Sequence, residues 1–316
     1  MRVLIAGAGA LGSVFGGFLR RAGLEVTLLG RAPHLAAIAR SGLAVDGIWG
    51  AFHVAGFATA TDAAALRGPF DVALVPVKAY DTRAVADAIA PLLSASGIAI
   101  SLQNGLGNVE QLEAAVGAER ALGARVIFGA VVPAPGAARV TVFADPTAIG
   151  ALSPGRSAGR DAAARRWAEI IDAAGVPAVY TDRLAALLWA KVFYNAALNP
   201  LGALLRLPYG ALPGRGDSRA LMDAIIDEAF AVARAEAVQL PWATAAEYRA
   251  EFYGRLVPAT ADHRASMLQD LERRRRTEVD AINGAVWRRG AAHGISTPVN
   301  EALTRLMHLV ETSDTQ

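Results

Sequence analysis

Two sets of residues have types and spacing suited to chemistry. The first is Gly7-Ala8-Gly9-Ala10-Leu11-Gly12, a G-x-G-x-x-G run that follows the apolar segment Val3–Ala6 and opens a helical pattern over 10–22. Strand, tight turn and helix start are the context in which this run binds a dinucleotide. Gly7 permits the turn, Gly9 carries no Cβ to block a pyrophosphate, and Gly12 lets helix and strand approach. The phosphates would sit on the unpaired N–H groups and positive dipole end of the helix. The second set is Lys191, Asn195 and Asn199, spaced i, i+4, i+8 in a segment whose neighbours Leu187, Leu188, Val192, Phe193 and Leu198 are apolar. That spacing aligns them on one helix face. Buried amides and ammoniums need partners, which a bound ligand can supply.

These groups need elements to hold them. The segment Glu25–Gly30 is a second strand, followed by Arg31. NAD-preferring folds place an acid here for the ribose 2′-OH, whereas a guanidinium can pair with a 2′-phosphate, so the sequence predicts NADP(H). Residues 43–58 alternate around Asp46-Gly47 as a hairpin would. Further strands are expected at 70–77 and 97–102, with a helix over 82–93 between them. Lys78 and Asn104 follow those strands, where doubly wound sheets hold their ligands. Strand-like segments at 121–128, 138–143 and 147–150, a helix near 158–173 and a strand at 177–180 complete the first half.

From about Thr181-Asp182, a candidate N-cap, the patterns are helical. An unbroken helix from Ser266 would set Glu278 roughly 18 Å away. The run Thr277-x-x-Asp280 resembles a capping box, so a break is expected near Arg276, with Arg273–Arg276 closing the preceding helix. Further helices are expected to end at His293-Gly294 and to run from about Pro298 to Val310.

The whole chain bounds these readings. Its 316 residues suit two domains, 1–182 and 183–316. With 53% hydrophobic and 19% charged residues it reads as globular. A net charge of +2 does not call for nucleic acid, and the arginine run lacks interleaved aromatics. The absence of cysteine excludes disulfides and thiolate catalysis, and the five histidines lack metal-ligand spacing. No apolar stretch is long enough for a membrane span and no signal-like start is evident, so a cytoplasmic protein is expected.

The motifs together resemble the ketopantoate reductase (2-dehydropantoate 2-reductase) family. They are the glycine loop, Val77-Lys78-Ala79, Gln103-Asn104-Gly105, Lys191-x₃-Asn195-x₃-Asn199-Pro200, Ser266-Met-Leu-Gln-Asp270, Thr277-Glu278-Val-Asp280 and Ile282-Asn-Gly284. The resemblance implies an α/β N-terminal Rossmann-type dinucleotide-binding domain plus an all-α C-terminal domain. It implies reduction of ketopantoate to (R)-pantoate by NADPH, towards pantothenate and coenzyme A, with substrate in the cleft between domains. By the same resemblance Lys191 is the catalytic lysine and Glu278 an essential acid near cofactor and substrate. Asn104 is shared by both ligands, Asn195, Asn199 and Ser266 bind substrate, and Ala130 aligns with a cofactor-contacting alanine. Lys191 would act as general acid, the asparagines would meet the substrate hydroxyl, and Ser266 its carboxylate with backbone help.

The chain departs from the family pattern at Pro208-Tyr209-Gly210, where Pro-Asn-Gly is common, and at His263-Arg264-Ala265, where Arg264 could bind a carboxylate. These departures leave open a paralogous NADPH-dependent reductase of another 2-oxo acid. A non-catalytic NADPH-binding sensor would not need Lys191, Glu278 and both asparagines. Monomer and homodimer both remain compatible with the sequence.

Overall fold

The computed structural model describes residues 1–153 and 157–313. The chain forms two compact units, one of Met1–Gln103 with Asn108–Leu184, the other of Asn104–Gly107 with Ala185–Gln316. The short segment 104–107 therefore packs with the second unit although its flanks belong to the first.

The first unit is built on one ten-stranded sheet. Its strands are β1 (Arg2–Ala6), β2 (Glu25–Leu29), β3 (Leu43–Gly47), β4 (Phe52–Val54), β5 (Ala58–Ala60), β6 (Phe70–Val75), β7 (Leu93–Ser101), β8 (Ala121–Val131), β9 (Ala137–Gly150) and β10 (Ala178–Tyr180). They run in the order β4-β3-β9-β8-β7-β6-β1-β2-β5, with β10 beside β9. Pairing is parallel except for β3 with β4 and β8 with β9. The helices are α1 (Ala10–Arg21), α2 (Ala32–Ser41), α3 (Thr82–Ile89), α4 (Asn108–Val116) and α5 (Ala158–Ala173). Strand β1 is central and buried on both sides, as an unbroken apolar run requires. Val3 and Ile5 join one core with Phe15 and Phe18 of α1 and Trp167 of α5. Leu4 and Ala6 join the opposite core with Ala86 and Ile89 of α3 and Leu112 of α4. Each fully buried branched side chain contributes about 1.5–3 kcal/mol. This is a parallel-dominated, Rossmann-type α/β arrangement.

Two sequence expectations change here. The hairpin at 43–58 exists, but its register pairs Leu43 with Val54 and Val45 with Phe52, so the turn falls at Ile48-Trp49 and not at Asp46-Gly47. Gly47 instead lies in β3 at φ +114° opposite Val140, whose carbonyl oxygen a Cβ would meet at 2.0 Å. The segments 138–143 and 147–150 are one bent strand, β9, whose register with β8 shifts at three irregularities.

Among its described residues the second unit holds helices and their connecting loops, and no strand. It comprises α6 (Leu184–Leu205), α7 (Gly216–Ala235), α8 (Ala245–Glu251), α9 (Val257–Ala259), α10 (Ser266–Glu272), α11 (Asn283–Ala292) and α12 (Pro298–Ser313). Aromatic packing fixes α6: Phe193 lies 5.2 Å from Tyr248 of α8 and 5.7 Å from Phe230 of α7, between ring centroids. Pro200 sits inside α6. Having no N–H, it leaves the carbonyl of Ala196 without its helical donor. Asn283, fully buried at the start of α11, donates Nδ2 to that carbonyl at 3.1 Å. The same amino group donates to Asn300 Oδ1 at 3.1 Å. A helix defect thus becomes the docking point for α11.

The expected break after Ser266 is present, but it falls earlier and is built differently. Helix α10 ends at Glu272, so Arg273–Arg276 lie beyond it, and Arg274 turns at φ +51°. Thr277 forms no capping box with Asp280. Its hydroxyl donates to Glu311 of α12 at 2.6 Å and accepts from Val279 N at 3.3 Å. Asp280 pairs with Arg276 at 2.7 Å and with His308 at 3.1 Å. Tertiary partners won over the local motif.

Candidate active site

In the first unit the glycine loop closes β1 onto β2, with the N–H groups of Gly7 and Ala8 both donating to Leu29 O, at 3.0 and 2.7 Å. Gly7 stands at φ +136°, and a Cβ there would lie 2.7 Å from Val77. At Gly12 a Cβ would lie 2.1 Å from Gly7 O and 2.9 Å from Ile5. Gly9 is the contrast: a Cβ there would meet nothing within 4 Å. Gly7 and Gly12 are therefore required by the protein's own packing, whereas Gly9 borders open space at the N-terminus of α1. That terminus has no side-chain cap and no acidic residue in its first turn. Ala10 and Leu11 open the helix there, and Ala8 is buried beneath the loop. The arrangement fits a phosphate-bearing ligand.

Beside it lies a cavity of about 430 Å³ lined by Ala6, Gly7, Leu29, Gly30, Arg31 and the segment Thr61-Asp62-Ala63, with Val77 and Val85. Arg31 is exposed and begins α2. The sequence reading missed Asp62, whose Oδ1 accepts from Ala64 N at 2.9 Å while its side chain borders the same cavity as Arg31. Lys78 is half-buried, three residues beyond β6. Ala130, on β8, pairs with Val140 of β9, and the cavity lining does not include it.

Arg31 is also close enough to His34 to matter electrostatically. Burial, then the Arg31 charge, holds the His34 imidazole below its ordinary value. The ring accepts at Nδ1 from Gly136 N at 3.0 Å, so its proton sits on Nε2, 2.9 Å from Ser13 Oγ of α1. A neutral histidine thus ties α1 to α2 and to the chain before β9.

A buried polar network holds the ends of the 104–107 loop. Gln103 Nε2 donates to Thr82 Oγ1 at 2.6 Å, and that hydroxyl donates to Asn108 Oδ1 at 2.8 Å. The loop itself packs in the helical unit. Leu106 N donates to Ala281 O at 2.8 Å, and a Cβ on Gly105 would lie 2.3 Å from that same oxygen. The close approach explains the glycine and sets Asn104 Nδ2 3.4 Å from Glu278 Oε2. Glu278 is buried.

Lys191, Asn195 and Asn199 lie along α6, with Lys191 half-buried and both asparagines buried. Asn199 and Ser266, 67 residues apart, are brought together. Asn199 Oδ1 accepts from Ser266 N at 3.0 Å and from Ser266 Oγ at 3.1 Å. It also accepts from the hydroxyl of Tyr209 at 2.9 Å. The backbone donor fixes which end of the amide is oxygen. Ser266 therefore spends both its N–H and O–H on Asn199, so neither stands ready for a substrate carboxylate. Arg264 is paired with Glu272 at 2.6 Å on the surface. Tyr209 departs from the family pattern, and nothing in the sequence signalled its role here. Among the described residues no helix is long and apolar enough to cross a membrane and no group of acids and histidines could hold a metal ion.

Comparison with known proteins covers both units. Residues 3–154 match the family model for ketopantoate reductase PanE/ApbA, and residues 183–311 match its C-terminal model. A curated 2-dehydropantoate 2-reductase from Aquifex aeolicus is 36% identical, the alignment covering 98% of this chain and 97% of the relative. Among solved structures, a PanE/ApbA family ketopantoate reductase from Ralstonia eutropha is 35% identical, with a TM-score of 0.87 over the whole of both chains. A D-mandelate dehydrogenase solved with NADH and anilino(oxo)acetate is 28% identical, also with a TM-score of 0.87 over the whole of both chains.

Proposed function

The chain belongs to the ketopantoate reductase family of oxidoreductases, and from that premise we propose that it reduces 2-dehydropantoate to (R)-pantoate with NADPH. The observation that carries this reading is the stripe Lys191, Asn195, Asn199 on the apolar helix α6, in the same unit as Ser266, Glu278 and Asn104. Hydrogen-bonding groups gathered on a buried helix suit a small oxygen-rich ligand.

The nicotinamide, when bound, supplies the hydride that reduces the 2-oxo carbon. The open space at Gly9 and the uncapped N-terminus of α1 favour holding the pyrophosphate, with Gly7 and Gly12 keeping the loop tight. Lys78 and Asn104, beyond β6 and β7, are assigned to the nicotinamide side, and Ala130 is assigned a cofactor contact from family likeness alone. As the carbonyl carbon gains a hydride its oxygen gains negative charge. The Lys191 ammonium stabilises that charge and donates the proton that completes the alcohol. Glu278 and Asn104 orient the reacting groups, while Asn195 and Asn199 hold the substrate and Ser266 acts through the Asn199 amide that it anchors.

Arg31 in the cavity supports NADPH, because a guanidinium pairs with a 2′-phosphate. Asp62 in the same lining favours the second cofactor reading, NADH, since a carboxylate accepts from ribose hydroxyls. The D-mandelate dehydrogenase relative carries NADH. Initial rates with NADPH and NADH, each with ketopantoate and a panel of other 2-oxo acids, test both the substrate and the cofactor. A higher kcat/KM for another acid replaces the substrate name and leaves the reaction type. The proposal includes action in the cytoplasm, as monomer or homodimer.

A further inference from the structure

Three donors converge on one acceptor atom, Asn199 Oδ1: the Tyr209 hydroxyl at 2.9 Å, Ser266 N at 3.0 Å and Ser266 Oγ at 3.1 Å. A carbonyl oxygen has two lone pairs, so this atom is saturated and has no capacity left for a ligand. Turning the amide over would set Nδ2 against the Ser266 N–H, donor to donor. The side chain is therefore held in one orientation, and what it can offer a ligand is the N–H pair of Nδ2.

Tyr209 is itself fixed. It is buried, its ring is edge-on to Tyr194 at 5.8 Å and tilted against His263 at 5.1 Å, and its N–H donates to His263 O at 3.1 Å. Burial, with Tyr194 as the second cause, raises its phenol far above the ordinary value, so the hydroxyl keeps its proton and donates at every working pH.

We infer that Tyr209, acting with Ser266, is a positioning residue that holds Asn199 as a donor toward an oxygen that only accepts, so that this chain selects its substrate by the 2-oxo carboxylate group and not by a distal hydroxyl. The inference rests on the proposed function, in which Asn199 meets the substrate. A hydroxyl placed at Nδ2 would be held by its oxygen alone, with its proton unserved by Asn199. A carboxylate or oxo oxygen is matched, and every 2-oxo acid carries both. The substrate class that follows is 2-oxo acids with or without a hydroxyl beyond C3.

The test compares ketopantoate with the same acid lacking its hydroxyl, using the full chain and NADPH. Tyr209→Phe keeps the ring and removes one donor. It is expected to raise KM for both acids by the same factor, about fivefold for one neutral hydrogen bond, with kcat and the KM for NADPH unchanged. Asn199→Asp keeps an acceptor for all three donors and turns a carboxylate oxygen to the ligand in place of N–H. It is expected to raise KM for both acids by about 100-fold, the range for facing like charge in place of a donor. Unchanged KM in both variants overturns the inference. So does a KM increase confined to the hydroxylated acid, or a loss of kcat alone. Absence of wild-type turnover with either acid is a separate result, which overturns the proposed function and this inference with it.

Discussion

Substituting Asn283 by Ala probes how α6 is held, and Pro200 makes the effect separable. Asn283 Nδ2 serves two buried acceptors, Ala196 O and Asn300 Oδ1, each at 3.1 Å. Asn283→Ala leaves both without that donor, and each stranded acceptor costs about 1–3 kcal/mol, so a loss of about 3 kcal/mol is expected. Pro200→Ala restores an N–H one turn beyond Ala196. In that background the helix itself satisfies Ala196 O, and Asn283→Ala should cost about 1–2 kcal/mol less than in the wild type. Urea unfolding of the four proteins of this cycle, followed by far-ultraviolet circular dichroism at equal slope, gives the coupling. A coupling below about 0.5 kcal/mol, the ordinary scatter of independent sites, would refute the claim that Asn283 repairs the defect made by Pro200.

The glycine loop separates packing from ligand binding. Gly9→Ala should leave stability unchanged, because a Cβ there meets no protein atom within 4 Å, while NADPH affinity measured by fluorescence titration falls. Gly12→Ala, whose Cβ would lie 2.1 Å from Gly7 O, should lower stability as well as affinity. Arg31→Ala should cut the NADPH-over-NADH preference by about 10–100-fold, the worth of a charged hydrogen bond, and an unchanged ratio removes the 2′-phosphate assignment. His34 gives a pH dependence. Its folded-state value lies below its unfolded value near 6.5, so the unfolded chain binds the proton more readily. Stability from this group is complete above the unfolded value and is lost as pH falls towards the folded one. His34→Gln should flatten the acid side of the stability–pH curve below 6.5.

What the sequence made legible follows the range over which each residue is constrained. Gly7, Gly9 and Gly12 act within one turn, and the helix spacing of Lys191, Asn195 and Asn199 is local, so both patterns could be read directly. Gly47 misled, because its glycine is demanded by Val140 of β9, 93 residues on, and not by a turn. Thr277 and Asp280 look like a capping box, yet their partners are Glu311 and His308 of α12. The meeting of Asn199, Tyr209 and Ser266 depends on how three separate segments of the helical unit fold, and no spacing encodes it. Asn283 was visible only as part of a motif. Its task follows from Pro200, whose missing N–H was written in the sequence but whose replacement donor was not.

The central claim is that Lys191 carries the proton to a reduced 2-oxo group. The direct measurement is oxidation of NADPH with ketopantoate by the wild type and by Lys191→Ala, alongside NADPH titrations of both. The account expects wild-type turnover, a fall of about 10²–10⁴-fold in kcat on losing the general acid, and an unchanged affinity for NADPH. Turnover that survives Lys191→Ala would contradict it.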